Sequence, residues 1–270
     1  MLTEHNNFAV VPDLHGRPEL LEAVMRHYAH LILAGDLVDG PDSKGVLELA
    51  SAMTTRSITV LGNHDYVLDA AMHEQDPDAR DVWSQVWARP YHDRVLASYG
   101  LPNVVSAESA KLLDEVMPSH HQDVLANAVP YVEGPGFMIV HAGVTGQPWE
   151  EQRGELDMAN SKRVSGDFGW SIPLQICGVY RRDAAHDEPE YVLSPTSAVE
   201  VLDQAKINTM ITGHWHLNNG QHRKAGGRVI HLAANKTRNE IPIYEVWSDK
   251  VKIIEPVFAV SVPDDYAAVV

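Results

Sequence analysis

The sequence predicts an α/β fold with parallel strands, and three observations carry that prediction. Short apolar runs recur through the first third, at Phe8-Ala9-Val10-Val11, Leu31-Ile32-Leu33-Ala34 and Ile58-Thr59-Val60-Leu61. Strands buried on both faces of a sheet read this way. The stretches between them carry apolar residues at helical spacing. Each run is also followed closely by glycine-flanked Asp, Asn or His.

Taken in order, Pro12 stops the first run and Pro18 opens a helix whose stripe is Leu20, Leu21, Val24, Met25 and Tyr28. The second strand, a helix over 46–52 and the third strand follow. Strand, helix, strand, helix, strand implies parallel strands with right-handed crossovers. From Tyr66 to about Asn127 the strand signal gives way to helical stretches carrying Trp83, Trp87, Leu96, Leu112, Leu113 and Met117. Within them, the acidic run 73–81 reads as a solvated loop. A strand-like run returns at Phe137-Met138-Ile139-Val140, so one domain over 1–270 is expected, with a helical insertion at about 66–128. Residues 145–193 read as irregular, with Trp149, Trp170 and an Arg181-Arg182 pair. Ser194-Pro195 starts a helix to about Ala205, Ser as N-cap and Pro in the first turn. Strands are expected at 209–211, 228–232, 242–247 and 250–254, the last two turned into a hairpin by Ser248-Asp249, before a short tail at about 256–270.

Composition narrows the function. A chain of 270 residues, 44% hydrophobic and 21% charged, is globular and large enough to bury its own core. A single cysteine, Cys177, excludes a disulfide framework and a Cys-based zinc module. No apolar run approaches the roughly 18 residues of a membrane span, and the first residues lack the basic and apolar regions of a signal peptide. A cytoplasmic location and no membrane partner are therefore expected. The net charge of −16 argues against a stable nucleic-acid partner.

The polar residues at the strand ends carry the chemistry. They are Asp13-Leu14-His15-Gly16, Gly35-Asp36-Leu37-Val38-Asp39, Gly62-Asn63-His64-Asp65, His141-Ala142-Gly143 and Gly213-His214-Trp215-His216. Parallel strands bring such ends to one edge, where open α/β sheets bind ligands. Residues i and i+2 of an extended segment point the same way, so Asp13 with His15, and His214 with His216, are expected to face one site. Carboxylate, amide and imidazole donors without a thiolate exceed what one tetrahedral ion takes and suit two ions sharing a carboxylate.

This ordered set resembles the calcineurin-like metallophosphoesterase superfamily. The nearest branch is that of the serine/threonine protein phosphatase-like enzymes and symmetrical dinucleoside tetraphosphatases. The resemblance spans residues 8 to about 235 and implies a two-sheet β-sandwich flanked by helices, with the strands at 228–254 supplying the second sheet. It implies one divalent ion held by Asp13, His15, Asp36 and His216. A second would be held by Asp36, Asn63, His141 and His214, with Asp36 bridging. Manganese is the first expectation, and iron, zinc and magnesium also suit these ligands. Two ions about 3.5–4 Å apart turn a bridging water into hydroxide and clamp the phosphate oxygens. The resemblance makes His64 a general acid toward the leaving group, its ring oriented by Asp39.

Two departures from the protein phosphatases matter. Gly40 stands where they carry a phosphate-gripping Arg, for which Arg17, Arg153, Arg181 and Arg182 are the candidate substitutes. His216 is present where they generally lack a His, which points to the broader phosphoesterase pattern. His231 reads as a core or supporting residue. A haloacid-dehalogenase-type site would need Asp-x-Asp at 13–15 and an amidohydrolase His-x-His, and neither is there. The expected function is a di-metal phosphomonoesterase acting on a phosphorylated small molecule, nucleotide or phosphoprotein. The alternatives are a dinucleoside polyphosphate hydrolase and, from another class, a non-catalytic scaffold of the same fold.

Overall fold

The first three strands do run parallel, the first two being buried on both faces and the third, at the sheet edge, half-buried. The computed structural model describes residues 8–88, 92–102, 107–169, 171–177, 192–215, 222–232 and 240–256. In chain order the first elements are β1 (Phe8–Val11), α1 (Pro18–Met25), β2 (His30–Leu33), α2 (Ser43–Ser51) and β3 (Ser57–Thr59). Five helices follow: α3 (Asn63–His73), α4 (Pro77–Trp87), α5 (His92–Ser98), α6 (Ala107–Val116) and α7 (Ser119–Ala126). Then come β4 (Tyr131–Gly134), β5 (Phe137–Val140), α8 (Trp149–Val164), α9 (Leu174–Cys177), α10 (Pro195–Gln204) and β6 (Thr209–Thr212). The last strands are β7 (Arg223–Lys224), β8 (Val229–His231), β9 (Ile241–Glu245) and β10 (Lys250–Ile254).

The strands form two mixed five-stranded sheets, ordered β10-β9-β1-β2-β3 and β4-β5-β6-β8-β7. β1, β2 and β3 are parallel to one another. So are β5, β6 and β8. Side chains alternate across each strand and sort into two cores. Phe8, Val10, Ile32, Ile139, Ile211 and Ile230 gather in one apolar cluster between the sheets. Ala9, Val11, Leu31, Leu33, Met138, Val140 and Met210 belong to the other, packed under the helices. This is an α/β fold of two sheets flanked by helices.

The sheet assignment of the late strands corrects the expectation. β9 pairs antiparallel with β1 and β10 with β9, so the C-terminal hairpin extends the first sheet. The second sheet is built from β4 to β8, and its edge strands β4 and β7 are too short and polar to show in the pattern. Residues 145–193 are not all irregular either, since α8 runs for 16 residues. The acidic run 73–81 includes the start of α4, where the Asp76 carboxylate accepts from the N–H groups of Asp78 and Ala79 and Pro77 takes the first helical position. Ser194 caps α10 as expected, its hydroxyl accepting from the N–H of Ser197. Among the described residues no helix is long and apolar enough to cross a membrane.

Candidate active site

Eight of the expected site residues lie where strands end. Asp13 and His15 follow β1, and Asp36 and Asp39 follow β2. Asn63 and His64 open α3, while His141 follows β5 and His214 follows β6. Both sheets therefore contribute. Asp13 Oδ1 accepts from the N–H of His214 at 3.0 Å, and Asn63 Oδ1 lies 3.2 Å from His141 Nε2 and 3.0 Å from His214 Nδ1.

Asp36 is the centre of the arrangement. It is buried, and its Oδ2 lies 3.3 Å from His141 Nε2, 3.8 Å from His15 Nε2 and 3.9 Å from His64 Nε2. Each of these rings turns Nδ1 the other way, onto an oxygen: Ala34 O for His141 at 2.7 Å, Val38 O for His15 at 3.3 Å, and Asp39 Oδ2 for His64 at 2.5 Å. A ring that donates from Nδ1 presents the Nε2 lone pair, which is how ligating imidazoles are oriented. Asp36 belongs to two groups whose ligand atoms lie within 4.8 Å of one another, one with His15 and His64 and one with His141 and His214. Two ligands on one ion, each about 2.1 Å from it, stand roughly 3–4 Å apart, so these spacings and donor types fit divalent cations.

The backbone is bent to this purpose. His15, Asp36, Asp39 and His214 have φ of 43°, 53°, 64° and 60°. Each left-handed residue costs about 1–2 kcal/mol, and such strain concentrates at functional sites. The extended i, i+2 geometry expected for Asp13 and His15 is therefore replaced by a sharp turn. Two glycines are required by close approach. A Cβ on Gly213 would run into Asp13 Oδ1, and one on Gly40 would overlap the carbonyl oxygen of His15.

Electrostatics follow from burial and proximity. Burial would raise the Asp36 carboxyl, but the imidazoles of His141, His64 and His15 hold it well below its ordinary value. Burial opposes charge on His141, yet the Asp36 carboxylate raises it to about 10. Asp65, part of the Gly-Asn-His-Asp block but not among the expected site residues, has a bracing part here. Its Oδ1 accepts from the N–H of Leu37 and Val38 and its Oδ2 from that of Gly62, tying the Asp36 loop to the start of α3. Burial and the Asp36 charge raise its carboxyl to about 7. The signal for it was present, as the last residue of Gly-Asn-His-Asp at the third position of a helix, where an acid folds back on the N-cap.

The candidate cations fall in different places. Arg17 is buried, and its Nε and Nη2 donate to Leu14 O and Asp13 O at 3.0 and 3.4 Å. Arg153 pairs with Glu133 and Glu150. His216, Arg181 and Arg182 lie outside the described residues. His231 is buried, 2.7 Å from the Thr212 hydroxyl, and burial lowers its pKa to about 4, as suits a neutral supporting residue.

A sandwich of two sheets with carboxylate, amide and imidazole donors gathered at the strand ends defines a metal-dependent phosphoester hydrolase. The chain belongs to the calcineurin-like phosphoesterase family, whose model matches residues 7–218. Solved structures agree on the fold. One, provisionally assigned as a diadenosine tetraphosphatase, is 16% identical with a TM-score of 0.53, covering 94% of this chain and 95% of that one. The cold-active protein-tyrosine phosphatase of a psychrophilic Shewanella is 13% identical with a TM-score of 0.58, covering 93% and 80%. A serine/threonine phosphatase of Saccharomyces cerevisiae is 11% identical with a TM-score of 0.58, covering 97% and 82%. No curated protein sequence matches the chain.

Proposed function

We propose that this chain is a phosphomonoesterase of the protein phosphatase-like kind, acting in the cytoplasm on a phosphorylated small molecule, nucleotide or phosphoprotein. The observation that carries the reading is the convergence of His15, His64 and His141 on Asp36 Oδ2, with the opposite nitrogen of each ring tied to an oxygen. Asp13, His15, Asp36 and His216 would hold one divalent ion, and Asp36, Asn63, His141 and His214 the other, manganese being the first choice. When bound, such ions supply a nucleophile at neutral pH and positive charge for the phosphate oxygens. His64 takes the remaining part. Its side chain is 25% exposed and its Nδ1 is 2.5 Å from Asp39 Oδ2, so Asp39 would fix the ring with Nε2 toward the site, where the doubly protonated imidazolium would hand its Nε2 proton to the departing oxygen.

Gly40 favours a second reading, a dinucleoside polyphosphate as substrate, because the arginine that grips a monoester phosphate in the protein phosphatases is missing. In the first reading Arg17, Arg181 or Arg182 takes its place. The test is p-nitrophenyl phosphate hydrolysis by chelator-stripped protein before and after manganese, with His64→Asn beside it. Metal-restored turnover that falls about 100-fold or more in the variant supports the monoesterase. Metal uptake without turnover shifts the substrate to a dinucleoside polyphosphate, assayed next. Neither uptake nor turnover would leave the scaffold reading.

A further inference from the structure

A second constellation of metal-capable side chains lies away from the sheet ends, where α2 packs on α7. Glu48 Oε2 is 2.9 Å from His121 Nε2 and 3.2 Å from His120 Nε2. The two rings stand edge to face with centroids 4.4 Å apart. Adjacent residues of a helix do not face one another, yet both imidazoles turn to a single carboxylate oxygen. These spacings are close to the edge of a tetrahedron with arms of about 2.05 Å, roughly 3.3 Å.

The surroundings are built for a ligand. The His121 side chain is fully buried, while those of His120 and Glu48 are 50% and 63% exposed, so the three atoms sit at the surface with one wall fixed. The Tyr99 hydroxyl lies 2.8 Å from His121 Nδ1. If that nitrogen donates to the hydroxyl oxygen, the ring is held with its Nε2 lone pair toward Glu48, the outer contact that zinc-binding histidines use. Burial also lowers the His121 pKa, which keeps the ring neutral and able to ligate.

We propose that Glu48, His120 and His121 form an accessory zinc site, with water in the fourth position. Two imidazole nitrogens and one carboxylate oxygen are a zinc donor set. The site joins α7, the last helix before β4, to α2, whose N-cap Asp42 follows the Asp39-Gly40 turn. Occupancy therefore clamps the helical segment against the element leaving the proposed active-site loop.

The test is equilibrium dialysis of the full chain against buffered free zinc, followed by metal analysis, beside Glu48→Gln/His120→Ala. Both substituted side chains are exposed, and an unchanged urea midpoint in chelator confirms that the variant is folded. The variant is expected to hold one zinc ion fewer than the native chain. That difference does not depend on how many ions the sheet-end residues bind, so it stands whether or not the proposed catalytic centre does. With cobalt in place of zinc, the native chain gains the visible bands of a tetrahedral ion and the variant loses that increment. Equal zinc content in the two proteins would overturn the site and leave the trio as a hydrogen-bonded helix contact.

Discussion

At the scale of the single residue, Gly40 shows a substitution that the backbone dictates. The sequence marks it as the place where related phosphatases carry arginine, and the obvious repair would be to put the arginine back. The geometry forbids this, because any Cβ at Gly40 overlaps the carbonyl oxygen of His15. Gly40→Arg is therefore expected to displace His15 and lower kcat/KM, by about 100-fold if the shift approaches 1 Å. Steady-state kinetics together with bound-metal content check this, and improved turnover would contradict it. The candidate site residues stand out in the sequence because Asp, Asn or His flanked by glycine recurs just beyond successive apolar runs, which packing alone does not call for. Asp65 was legible as the acid that folds back on the start of α3, but not as a brace on the Asp36 loop. Its partners Leu37 and Val38 are distant in sequence, and an acid beside Asn63 and His64 reads as one more candidate rather than as the brace between two loops.

At the scale of the element, α8 is the instructive miss. Its buried residues are Trp149, Gln152, Leu156 and Arg163, so polar side chains fill half of its inward positions and no apolar stripe appears. Arg163 is buried. Its Nη1 donates to Asp69 Oδ2 at 2.6 Å and its Nη2 to the carbonyl oxygens of Ala126 and Ala128 at 3.0 and 2.8 Å. This docks α8 on α3 and on the end of α7. Arg163→Met strands the Asp69 charge and is expected to cost about 3–5 kcal/mol in urea unfolding; a loss below 1 kcal/mol would deny the docking role. Asp69 also accepts from His73 Nδ1 at 2.7 Å, and the Nε2 of that ring is 3.2 Å from Asp114. The hydrogen bond to Asp69 raises the His73 pKa against the opposing effect of burial. A proton bound more tightly in the folded state stabilises fully below the unfolded value of about 6.5, and that contribution is lost as pH rises through the raised folded value. The gap in urea midpoint between the native chain and His73→Gln should therefore be wider at about pH 6 than at about pH 9. A gap independent of pH would show that the ring acts only as a neutral donor.

At the scale of the whole molecule, sequence periodicity marked most of the strands but not their partners. Nothing in 241–254 says that this hairpin joins β1 rather than β8; in the structure Tyr244 stands opposite Val10 and shares with it and Phe8 the cluster between the sheets, while Ile241 and Ile243 enter the other core. The same division makes the site a bridge. Asp13, His15, Asp36 and Asn63 come from the first sheet and the helix behind it, whereas His141 and His214 come from the second. Without cations, the carboxylates of Asp13, Asp36 and Asp65 are buried at this seam, and the charge on Asp36 already hinders ionisation of Asp65. Bound ions would neutralise the seam and link the sheets, so the folded state gains stability by mass action. An ion held at 100 times its Kd adds about 2.7 kcal/mol, which at roughly 2–4 °C per kcal/mol is a Tm rise of about 5–10 °C for a chain of this size. Chelator should remove that increment, manganese should restore it with a concentration-dependent Tm, and Asp36→Asn should abolish most of the response. A Tm indifferent to chelator and manganese would mean that the seam stands without cations, and the proposed two-ion centre would fall with it.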